Sequence, residues 1–155
     1  MKEIYYLNAK ELPTIPVPHD CIIKEITVED DSLVFIFEDD ISYHDSIKNT
    51  RPDAKSLIIR FHFLNDINDI QTFMRKKPDR LLNKTGVYKE IDLINQRNIL
   101  IENSGKKLEY LYHNVGYCSI IVKLCSLNSV ILDMDIDYVE FEWINQLKGC
   151  DCCNE

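Results

Sequence analysis

The chain has 155 residues, of which 45% are hydrophobic and 28% charged, with only four glycines and five prolines. That length can bury a core without staples, and that composition excludes disordered and fibrous chains. The formal charge of −8, from 26 acidic and 18 basic side chains, argues against nucleic acid and anionic membrane as partners, since affinity for both rests on lysine and arginine.

Residues 1–8 hold no long apolar run. No signal peptide or membrane span is therefore expected, and the expected location is the cytoplasm. The six cysteines then read as thiols in a reducing compartment.

The first predicted element is a hairpin. Residues 21–28 are β-branched and partly alternating, Glu29-Asp30-Asp31-Ser32 is a polar turn, and 33–37 form a second strand. Leu33 to Phe37 is apolar at every position, so that strand should be covered on both faces. Residues 42–55 are polar and contain a turn at Asn49-Thr50-Arg51-Pro52-Asp53, where Pro sets φ and Asn and Asp bond their own backbone. Residues 56–64 alternate, with Leu57, Ile59, Phe61 and Phe63 on one face.

Ile67, Ile70, Phe73 and Met74 recur at helical spacing, which predicts a helix over 65–77. Arg75, Lys76 and Lys77 close it before Pro78, complementing its dipole. Residues 79–103 read as strands, since Val87, Lys89, Ile91 and Leu93 alternate, although Tyr88 to Asn95 also fits two helical turns; a short strand is expected at Ile99-Leu100-Ile101 and a turn at 103–106. Three further strands follow at 108–113, 117–125 and 130–143. In the last, the apolar positions are Leu132, Met134 and Ile136, then Val139, Phe141 and Trp143. The parity flips near Asp137 and Tyr138, which predicts a β-bulge or break there. The expected fold is α+β, mainly β: a twisted antiparallel sheet, sandwiched or curled into a meander, with one or two short helices packed on it. Residues 1–149 read as one domain and 150–155 as a flexible Cys-rich tail.

Three groups of residues carry candidate chemistry. Asp133, Asp135 and Asp137 alternate along a strand, so their carboxylates should line one face about 7 Å apart. Glu140 and Glu142 extend that negative surface beyond the flip. The plainer reading is the solvated side of a one-sided sheet. His19-Asp20, His44-Asp45 and His62 offer imidazole and carboxylate ligands suited to zinc, iron or manganese; turn capping by the aspartates is the plainer reading. Cys150, Cys152 and Cys153 lack the two separated Cys pairs of a structural zinc site and read as a reactive tail. No nucleophile elbow is present and no Gly-rich phosphate loop, so no catalytic residue and no cofactor is expected. Tyr5, Tyr6, Tyr110, Tyr112 and Tyr117 suit sheet packing, and tyrosine is also enriched at protein interfaces.

The segment Pro18-His19-Asp20-Cys21-x-Ile23, with Ile26 and then Leu33-x-Phe35-x-Phe37 ending in Asp39, resembles the opening of small uncharacterised bacterial proteins. Some proteins of that kind act as immunity proteins beside toxins. The resemblance covers about the first quarter of the chain and implies a hairpin and a bacterial source, with no catalytic residue to carry over. The expectation is a non-enzymatic bacterial domain that binds another, basic protein through an acidic sheet face. A metal-dependent hydrolase or metal-binding domain using the His-Asp pairs is the alternative. The oligomeric state is left open.

Overall fold

The computed structural model describes residues 1–76, 86–102 and 107–145. The predicted turn at 103–106 and the tail with Cys150, Cys152 and Cys153 lie outside the described residues, as does part of the region read as strands over 79–103.

In chain order the elements are β1 (Lys2–Tyr6), β2 (Ile22–Glu29), β3 (Ser32–Phe37), α1 (Asp45–Lys48), β4 (Ala54–Phe63), a 3-10 turn (Ile67–Asp69), β5 (Gln71–Lys76), β6 (Val87–Glu90), α2 (Leu93–Glu102), β7 (Leu108–Gly116), β8 (Ser119–Cys125) and β9 (Ser129–Asn145). Every strand pairing is antiparallel. Among the described residues the fold is therefore mainly β with two short helices, the α+β, mainly β class expected from the sequence.

The sheet curls until it closes. The path runs β4-β3-β2-β7-β8-β9, and β9 pairs again with β4. The β2–β7 seam is thin, with only Ile22↔Glu109 and Ile23↔Leu108 in register. Closure is possible because β9 is 17 residues long and serves two sets of neighbours. Its first half lies between β8 and β5, and its second half between β1 and β4.

The two halves join at the predicted bulge. His62 pairs with Tyr138 but the next residue, Phe63, pairs with Ile136, so Asp137 is the extra residue. Burial follows the same phase change: Leu132, Met134 and Ile136 are buried before it, and Val139, Phe141 and Trp143 after it. A bulge is the device that keeps apolar side chains inside while the strand bends.

The ring encloses one core. Phe35, Phe37, Phe61, Tyr110, Phe141 and Trp143 are its largest fully buried side chains. Phe35 meets Phe61 edge-on at 5.2 Å and Tyr110 at 6.4 Å, the geometry that aromatic quadrupoles favour.

Two sequence expectations fail. Residues 65–76, the described part of the expected helix over 65–77, do not form that helix. Asp66 caps only the short 3-10 turn, accepting from the Asn68 N–H at 2.8 Å. The chain then turns extended at Ile70, and β5 adds to the open side of β9 from Gln71↔Asp133 to Met74↔Val130. Ladder partners on both β9 and β6 outweigh a weak helical preference. Conversely, Ile99-Leu100-Ile101 lies in α2 rather than in a strand. Asp92 starts that helix by accepting from the Asn95 N–H at 3.1 Å, and α2 packs against β2.

Candidate functional site

The register places Asp133 and Asp135 on the outward side of β9, alternating with buried Leu132, Met134 and Ile136. Their neighbours follow from pairing. Asp133 sits between Ile121 of β8 and Gln71 of β5. Ile131, one row along, sits between Lys123 and Phe73. Tyr112 and Asn114 of β7 continue these rows opposite Lys123 and Ile121. This outer face mixes two carboxylates with large apolar groups: Ile121 is 40% exposed and Tyr112 41%, and Tyr117 in the adjoining β7–β8 turn is 69% exposed. Scattered exposed hydrophobes are ordinary, but a cluster of tyrosine and isoleucine is the composition of an interface core.

The charge on this face is open. Among the described residues no cation makes an ion pair with Asp133 or Asp135. The nearby Lys123 ammonium lies 5.5 Å over the Tyr112 ring instead. Asp137, in the bulge, accepts from the Asn8 amide at 2.8 Å.

The other half of the acidic surface is internally neutralised. Arg60 donates to Glu140 at 3.1 Å and Glu142 at 2.7 Å, and its Nε lies 3.3 Å from Glu29. Lys2 adds contacts of 3.0 Å to Glu140 and 3.9 Å to Glu142. The hydrogen bond from Arg60 holds the Glu142 carboxyl below the usual range, with Lys2 assisting against the effect of burial. The five carboxylates thus divide at the bulge. Glu140 and Glu142 belong to a structural network, whereas Asp133 and Asp135 face outward with no cation paired to them among the described residues.

The histidine–aspartate pairs do not form one group. His19 Nδ1 lies 2.9 Å from Asp20, and both side chains are more than half exposed. His44 bonds Glu38 rather than Asp45, at 2.8 Å, while Asp45 opens α1. His62 pairs with Ser32 at the start of β3, whereas Glu38 follows its end. A six-residue strand separates those points by roughly 20 Å. His62 is instead stacked on Tyr138, with centroids 4.1 Å apart, and its Nδ1 lies 3.7 Å from Asp31. Among the described residues no three His, Cys, Asp or Glu side chains converge to hold a metal ion.

One polar cluster had no signal in the sequence. Glu38 Oε1 accepts from the Tyr43 hydroxyl at 2.8 Å and lies 2.8 Å from His44 Nε2. Burial, and then the bond to Glu38, push the Tyr43 phenol up to about 12. The cluster pins the segment before α1 to the end of β3, and Ser46 ties it to the His19 carbonyl at 2.9 Å. Glu38, Tyr43 and His44 lie within seven residues of one another, and the turn after β3 brings them together; only the bond from Ser46 joins them to a distant segment.

No protein-family model matches the chain, and neither the curated proteins nor the solved structures gave a match.

Proposed function

We propose that the chain is a non-enzymatic protein-binding domain that docks a basic protein on the outer β7-β8-β9-β5 face, in the manner of an immunity protein. The observation that carries this reading is the outward pair Asp133 and Asp135, the first half-buried and the second exposed, without cations among the described residues, on the same face as Ile121 and Tyr112. The apolar groups supply contact area, and the carboxylates supply steering and register. The overall charge of −8 attracts the same class of partner at longer range.

Capture of partner proteins by the wild type and by an Asp133→Lys/Asp135→Lys variant tests the reading. The wild type should retain a basic protein in stoichiometric amount, released by salt and lost with the variant. Identical retention by both forms would sink it. Elemental analysis of tag-free protein supplies a second check. A stoichiometric metal that disappears in His19→Ala or His44→Ala would replace this reading with a metal-dependent one.

A further inference from the structure

We infer that β1 is an association edge for a second copy of this chain, with the two β1 strands paired antiparallel about Ile4. The inference stands on the backbone and does not depend on the acidic face.

Hydrogen bonding fixes the phase of the strand. The Met1 carbonyl accepts from the Trp143 N–H at 2.8 Å, and the Leu7 N–H donates to the Asp137 carbonyl at 2.9 Å. Between them the register is unbroken from Lys2↔Glu142 to Tyr6↔Tyr138. In an antiparallel ladder, alternate residues bond the partner strand. The odd residues of β1 therefore bond β9, and Lys2, Ile4 and Tyr6 turn their N–H and C=O groups away from it. Among the described residues β1 pairs with no other strand, and none of these groups bonds another backbone group.

The side chains fit the same picture. Glu3 and Tyr5 face the core side. Glu3 accepts from the Tyr5 hydroxyl at 2.7 Å and from the Trp143 indole at 3.0 Å, and the Tyr5 ring meets Phe141 edge-on at 5.7 Å. Ile4 and Tyr6 are about half exposed, at 49% and 53%. The usual protections of an edge are a proline, a bulge or a row of charges. β1 has no proline, its register has no bulge, and its only outward charge is Lys2.

A second copy is the occupant that the pattern complements. Centring the pair on Ile4 sets Ile4 against Ile4, Lys2 against Tyr6 and Glu3 against Tyr5. No like charges are opposed, apolar groups meet on the axis, and the Lys2 ammonium comes beside a tyrosine ring. Each of the narrow pairs Lys2–Tyr6, Ile4–Ile4 and Tyr6–Lys2 exchanges two backbone bonds, and the operation is a closed twofold. The contact is narrow, so association depends on concentration.

Light scattering across a concentration series, with amide hydrogen exchange on the same samples, tests this. The full chain should approach twice its monomer mass as concentration rises. The Lys2, Ile4 and Tyr6 amides should slow by at least about tenfold in step with it. Ile4→Lys opposes two cations on the axis. Ile4→Pro deletes an N–H that points away from β9, leaving the internal ladder intact. Both variants should stay monomeric while keeping the wild-type circular dichroism spectrum. A wild type that remains monomeric at its highest soluble concentration would overturn the inference. So would a dimer that survives Ile4→Lys or forms with these amides still exchanging freely.

Discussion

Cys21 is fully buried, and burial, with the Glu38 carboxylate nearby, pushes its thiol up to about 12. Thiolate is the reactive form, so native-state alkylation at neutral pH should leave Cys21 unmodified while Cys118 and Cys125, both partly exposed, are labelled. Fast labelling of Cys21 in folded protein would contradict this placement. His113 makes a second residue-level prediction. Its Nδ1 lies 2.8 Å from the Tyr110 hydroxyl inside the wall of the ring, and burial lowers its pKa despite an opposing bond to the Ile15 backbone. The unfolded imidazole keeps its ordinary value of about 6.5. Below that pH the unfolded chain takes up a proton that the folded chain refuses. The stability contributed by neutral His113 is thus present above about pH 6.5 and lost as the pH falls through the lower folded value. Urea midpoints between pH 7 and 5 should fall more steeply for wild type than for His113→Asn. The burial of Cys21 is legible in its type and apolar flanks. The pairing of His113 with Tyr110 is not, because a bulge between Tyr110 and Tyr112 resets which β7 residues share a face.

At the scale of elements, β9 was the most legible part of the chain. Its alternation, and the slip at Asp137, are written in the order of apolar residues from Val130 to Trp143. The reading failed where a short apolar set fits two periods. Ile67, Ile70, Phe73 and Met74 satisfy a helical repeat, yet as strand residues Thr72 is fully buried and pairs with Leu132, while Phe73 pairs with Ile131 outside. The deciding term was the unfilled side of β9, which is a property of another element. The same holds for Glu140 and Glu142. Their position on a face was readable, but their neutralisation depends on Arg60 of the neighbouring β4. Arg60 binds β4 to β9 and reaches Glu29 of β2, so Arg60→Ala should cost about 1–2 kcal/mol in chemical denaturation, more than an isolated surface pair. A loss within error would mean that the network adds nothing to the closure of the ring.

Over the whole molecule, two features set behaviour. One is the closed ring, which leaves β1 outside it with an edge that no strand fills among the described residues. Ring closure was not legible because it rests on β4 meeting β9 across about half the chain, and no local pattern encodes that pairing. The other is the distribution of the −8 charge. Arg60 and Lys2 answer Glu140 and Glu142 on one half, while Asp133 and Asp135 have no ion pair on the other among the described residues. The proposed docking face follows from that asymmetry. The most direct test is the association rate of a captured basic partner with wild type and Asp133→Lys/Asp135→Lys, measured over a range of ionic strength. The account predicts a rate that falls steeply with salt and drops at least about tenfold at low salt on charge reversal. A rate unmoved by both salt and charge reversal would contradict it.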